Sequence, residues 1–147
     1  MNIFQVTKGS YELTQDQLAL LFQHMDKYMK TTDGSWLSEI DYRKSVFMWA
    51  PSLEGSYIMA AKPLLGNSIL VCPNGGNPDY WVSLVTPAVV HELRHLWQRK
   101  HNIVRYTLWS LVSRLVLPFS EDLYMKVPTE KDAFNQQSIM EDFIGGV

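Results

Sequence analysis

Apolar residues recur at helical intervals near the start of the chain and again through its second half, with short unbroken apolar runs between. Leu18, Leu21, Phe22, Met25 and Met29 repeat every three or four positions, and Thr14 with Gln17 makes a capping-box pattern. A helix is therefore predicted over about residues 14–30, ending near Thr31-Thr32-Asp33-Gly34. Residues 35–80 carry strand signals instead. The runs at 45–49, 56–61 and 68–72 are apolar or aromatic and are separated by Pro51, Gly55 and a turn region at 62–67. Separations this short favour antiparallel pairing over crossover connections. Residues 2–7 add a short strand, 73–78 a loop, and 80–85 reads equally as a last strand or an earlier helical turn.

The chain then turns helical. Thr86 is placed to cap and Pro87 to occupy the first helical position of a helix reaching about Lys100. A second helix is predicted over 103–117, stopped by Pro118, and a third from Thr129, where Asp132 completes a capping-box pattern, to Gly145-Gly146. The expected fold is α+β. A small antiparallel or mixed sheet of about three to four strands would pack on the N-terminal helix, the helix after Thr86 and the C-terminal helix.

At 147 residues the chain is expected to form one domain, 1–147, with a core of its own. Its formal net charge is −2, and its one basic cluster (Arg94, Arg99, Lys100, His101, Arg105) is scattered around a helix and its exit. That reads as a solvated face, so no nucleic-acid partner is expected. Cys72 is the single cysteine, which favours a reducing compartment, and residues 1–8 lack a secretory pattern. The most apolar stretch, 103–119, is short and contains Arg105 and Arg114, so it is read as a core helix and not a membrane span. A cytoplasmic protein without a membrane partner is the expectation.

Chemistry concentrates in His91-Glu92-Leu93-Arg94-His95, an HExxH motif inside the helix after Thr86. Residues four apart on a helix are rotated by about 40° and stand one turn above each other, so both imidazoles can bind one metal ion. Glu92 lies about a quarter-turn away, suited to act as general base on a water held by that metal.

A catalytic zinc site needs a third protein ligand. Glu130 is the leading candidate: with Ala133, Gln137, Met140 and Ile144 it falls on one mostly core-facing stripe, and Ala133 is small enough for close helix approach. The alternative is a first-turn carboxylate serving only the helix dipole. His101 is a rival, because His91, His95 and His101 reproduce H-x3-H-x5-H, the spacing of metzincin peptidases and of an rRNA-processing endoribonuclease. Those families have a glycine three residues after the second histidine; here it is Gln98, within an unbroken helical run. Cys72 would be the ligand on the pattern of peptide deformylases, whose other signatures are missing here. His24 is a lone helical histidine with no partner motif.

The run Val89-Val90-His91-Glu92-Leu93-Arg94-His95-Leu96-Trp97-Gln98, followed 35 residues after His95 by Glu130-Lys131-Asp132-Ala133-Phe134-Asn135, resembles small gluzincin-type metallopeptidases. These include the minigluzincins and the ImmA/IrrE-like and phage-associated group. The resemblance implies His91, His95 and Glu130 as Zn²⁺ ligands and Glu92 as the catalytic base. It further implies hydrolysis of a peptide or protein substrate, held as an extended strand along residues 67–72 or 80–85. The aspartate that larger gluzincins carry four residues after the ligand glutamate is Phe134 here, leaving Asp132 or a backbone carbonyl to orient a zinc histidine. Tyr106, Tyr124 and Arg94 are candidate oxyanion donors. The competing expectations are a zinc hydrolase of another substrate, such as RNA with His101 as ligand, and a non-catalytic zincin-fold binding protein.

Overall fold

A computed structural model describes residues 11–50, 59–61, 69–73 and 78–145, with side chains described over 12–48 and 86–145. The strand expected at 2–7 lies outside these residues, as do the side chains of Trp49, Cys72 and Trp81.

Helix α1 spans Gln15–Met29 and opens with the predicted reciprocal cap: Gln17 N–H donates to Thr14 Oγ1 and Thr14 N–H to Gln17 Oε1. Gln17, Leu21, Met25 and Tyr28 line its buried face. The chain leaves α1 through Gly34, where a Cβ would lie 2.1 Å from the Tyr28 carbonyl oxygen, so no larger residue fits this turn. Two 3-10 segments follow, Ser35–Glu39 and Tyr42–Lys44, in a region read from sequence as strand-rich.

Strands β1 (Tyr11–Glu12), β2 (Val46–Ala50), β3 (Met59–Ala61) and β4 (Ile69–Pro73) line up in the order β1-β2-β4-β3. The β2–β4 pair is parallel, contrary to the antiparallel pairing expected from the short spacings. Because β4 pairs on both sides, it does not present the free edge proposed for residues 67–72.

Helices carry the rest. Helix α2 runs Pro78–His101, α3 Ile103–Val116, α4 Glu121–Lys126 and α5 Pro128–Gly145. Residues 80–85 are thus helical and cannot be a substrate-binding strand. Pro87 stands inside α2 and does not begin it. A proline in mid-helix forfeits one ladder bond, and the buried neighbours Thr86, Val89 and Val90 hold the helix through that point.

The α+β expectation is corrected by this balance. Where side chains are described, 79% of residues are helical. The strands are short, and Phe47 is their single buried hydrophobic residue among those described. The core instead joins Leu21, Met25 and Tyr28 of α1 and Leu37 to Val89, Val90 and Leu93 of α2 and Met140 of α5. Helices thus supply most of the described core and all of His91, His95 and Glu130.

Helix α3 also departs from expectation. Ser113 is buried and Tyr106, Trp109, Ser110 and Val116 are half-buried, but Val104, Leu108, Leu111 and Leu115 on its other side are exposed. It is a core helix on one face only. No helix among the described residues is long and apolar enough to cross a membrane.

Candidate metal centre

Helix α2 presents two faces to two different tasks. Val89, Val90 and Leu93 are fully buried and anchor it in the core, which fixes the direction in which His91 and His95 project. Their rings stand one turn apart, centroids 5.0 Å from each other and nearly perpendicular. Helix α5 packs across them, and Ala133, fully buried, has only a methyl group at the crossing. That close approach carries Glu130, one turn earlier, to the histidines.

The Glu130 carboxylate spans both rings. Its Oε1 lies 3.1 Å from His95 Nε2, and its Oε2 3.3 Å from His91 Nε2. Ligand atoms of His91, His95 and Glu130 all fall within 4.8 Å of one another, a buried three-residue group able to hold a metal ion. Among the described residues, Glu130 Oε2 and His91 Nδ1 are buried without a hydrogen-bond partner. A buried oxygen left so costs about 1–3 kcal/mol, a penalty that a cation beside it would remove. Two imidazole nitrogens and a carboxylate are also an ordinary donor set for a divalent transition metal. The residues fit the ion.

Electrostatics within the cluster agree with its geometry. Burial works against ionisation of Glu130, but its contacts with His91 and His95 together outweigh it and hold the carboxyl down at about 2. Burial likewise opposes a charge on His95, yet the Glu130 carboxylate, with help from Glu92 and Gln98, raises its affinity for a proton. Protons and a metal therefore compete for the same electron pairs. Glu92 is held above the usual carboxylate range mainly by burial, with His95 and His91 pulling the other way.

Behind His95 lies a chain of fixed contacts. Its Nδ1 sits 2.9 Å from Gln98 Oε1. The Gln98 amide donates to the Thr129 carbonyl (2.9 Å) and to Asp132 Oδ2 (2.8 Å). Asp132 is gripped by Arg94, at 2.7 Å from Nε and 3.3 Å from Nη2, and the Arg94 guanidinium rests 3.8 Å above the Trp97 ring and 5.0 Å from Trp36. Because Gln98 Nε2 is donating twice, its Oε1 must accept, so His95 carries a proton on Nδ1 and leaves Nε2, which faces Glu130, as the position where a second proton or a metal binds. Asp132, expected as a direct histidine partner or a helix cap, acts through Gln98 instead. In the sequence Gln98 stands out only as the residue at a glycine position of other families. Its spacing of three from His95 on one helix face is the signal that would have found it.

Other sequence candidates fall elsewhere. His101 is 45% exposed, stacked near Trp97 and 3.2 Å from Glu39 Oε2, outside the cluster. Glu39 also accepts from Trp97 Nε1. His24 sits on α1, its proton affinity reduced by burial and by Lys27. Arg94 is committed to Asp132, which removes it as an oxyanion donor. The two tyrosines do face the cluster. Tyr106 lies 6.0 Å from the His95 ring, and the Tyr124 and Phe134 rings are 6.3 Å apart, with Phe134 4.5 Å from His91. Burial, then the Glu130 carboxylate, keeps the Tyr124 hydroxyl protonated well above its normal range. Burial also raises Tyr106 above its ordinary value, with Glu92 and Glu130 adding to it. A cavity of about 350 Å³ adjoins the cluster on the Gln98 side, lined in part by Tyr106, Arg105, His101 and Thr129.

Compared with known proteins, the chain matches no family, no curated protein and no solved structure.

Proposed function

We propose that the protein is a zinc-dependent metallopeptidase of the gluzincin type. The observation that carries this reading is the buried convergence of His91, His95 and Glu130, with Glu92 next in sequence on the same helix. His91 Nε2, His95 Nε2 and the Glu130 carboxylate would hold the ion, and zinc suits two imidazoles and one carboxylate. When bound, zinc supplies Lewis acidity, lowering the pKa of water and polarising a carbonyl.

This chain's own residues do the remaining work. Glu92 accepts the proton of the attacking water and returns it to the departing amine; its burial raises its affinity for that proton. Tyr106 and Tyr124, both kept protonated beside the cluster, are positioned to donate to the oxygen that becomes negative. Gln98 fixes the His95 ring. One cysteine in 147 residues is in keeping with a reducing compartment.

The test is Glu92→Gln in zinc-loaded protein assayed on a mixed-sequence peptide library. Zinc content is expected to stay at the wild-type level while cleavage falls at least about 100-fold. Undiminished cleavage by Glu92→Gln refutes the mechanism. A zinc-loaded wild type that cleaves nothing in the library favours the non-catalytic binding reading instead.

A further inference from the structure

Helix α3 is apolar on both sides, and only one side is covered. Val104, Leu108, Leu111 and Leu115 follow the 4-3-4 spacing that draws a straight seam down a helix, and they are 52–71% exposed. The seam continues into the turn after the helix, where Leu117 is 50% and Phe119 87% exposed. Six large apolar residues in a row exceed what a water-facing helix normally presents.

On α3 itself charge has one sign: Arg105 and Arg114 are its charged residues, and the exposed acidic pair Glu121-Asp122 belongs to α4, beyond the Phe119 turn. Arg105 and Arg114 flank the seam directly on α3, and both are exposed. A second copy of the helix would bring these arginines together without a carboxylate on α3 to meet them. An anionic lipid surface meets them with headgroup phosphates and accepts the leucines into its acyl boundary. At 14 residues with two arginines, α3 is suited to lie on a bilayer and not to cross it.

We propose that the α3 seam and the Phe119 turn form a docking surface for anionic membranes, with Leu108, Leu111, Leu115 and Phe119 inserting shallowly while Arg105 and Arg114 contact phosphate groups. This surface stands on observations independent of the metal site.

The full-length protein is floated with unilamellar vesicles of phosphatidylcholine alone and of phosphatidylcholine with 30% phosphatidylglycerol, at low and high salt. Binding is expected on the anionic vesicles, weakening at least tenfold on neutral ones and falling as salt rises. Leu108→Asn/Leu115→Asn is expected to lose at least tenfold in partitioning. Phe119→Ala and Arg105→Gln/Arg114→Gln should each lose several-fold, and Glu92→Gln nothing. Because all of these side chains on the seam are exposed, the variants keep the wild-type melting temperature. Failure of the wild type to float with anionic vesicles overturns the proposal. So does a dimer in sedimentation equilibrium that Leu108→Asn/Leu115→Asn dissociates, which would assign the seam to a second copy.

Discussion

Replacing Gln98 with alanine tests whether the His95 ring is held by design. The substitution removes the acceptor 2.9 Å from His95 Nδ1 and two donations, to the Thr129 carbonyl and to Asp132. Asp132 keeps Arg94, so its charge stays compensated and the fold should lose about 1.5–4.5 kcal/mol, the worth of three such bonds. Metal binding should weaken as well. Without an acceptor at Nδ1, the neutral imidazole is free to carry its proton on Nε2, the nitrogen aimed at Glu130. Loss of such an orienting partner typically lowers metal affinity about 10–100-fold, equivalent to about 1.4–2.7 kcal/mol. Competition against a chromophoric chelator at neutral pH measures it directly, and nitrogen NMR of the metal-free protein reports the tautomer. Gln98→Glu restores the acceptor but sets a carboxylate against Asp132, so it should recover part of the affinity while losing stability. A zinc Kd within threefold of wild type in Gln98→Ala, with His95 still protonated at Nδ1, would refute the reasoning.

Three further outcomes follow from the same contacts. Glu130→Ala should lose zinc by at least about 100-fold while His101→Ala, remote and bonded to Glu39, retains it; equilibrium dialysis separates the two, and zinc retained by Glu130→Ala sinks the ligand assignment. Ala133→Leu forces bulk into the α2–α5 crossing and should cost about 1–3 kcal/mol in urea denaturation, together with weaker metal binding. Unchanged values would mean the helices are not in close contact there. Burial and Asp33 raise the Tyr28 hydroxyl to about 12, so the folded state holds a proton that the unfolded chain releases near 10. Stability should therefore fall as pH rises from about 10 to 12. Tyr28→Phe should flatten that decline at a cost of about 1 kcal/mol at neutral pH.

How much the sequence discloses depends on how local each feature is. His91, Glu92 and His95 are legible because a helix alone sets their relative directions. Glu130 is legible because its stripe, down to the small Ala133, indicates a helix crossing. The capping box of α1 is equally local, two residues exchanging two bonds. The start of α2 is misread because Pro87 looks like a first helical residue, and only tertiary packing carries the helix through it. Helix α4 goes unseen despite Ser120, whose hydroxyl accepts from Leu123 N–H, and the acidic pair Glu121-Asp122 behind it. The parallel pairing of β2 with β4 is illegible for another reason: it depends on a crossover between distant segments. The apolar stretch 103–119 looks like core because composition does not say which face of a helix has a neighbour.

Gln136 has a consequence for how this protein can be divided. Its buried Oε1 accepts from Tyr28 Oη at 3.0 Å and from Trp36 Nε1 at 2.9 Å, tying α5 to both parts of the N-terminal region. Trp36 in turn lies under the guanidinium that holds Asp132. All three candidate ligands belong to residues 78–145, so that fragment looks like a self-sufficient metal module. It is not one. Cut away from Tyr28, Trp36 and Leu37, it would face water with Val89, Leu93 and Met140 and leave Gln136 and Arg94 without their stops. Residues 12–48, which contribute none of these three ligands, are the mould in which the ligands are set.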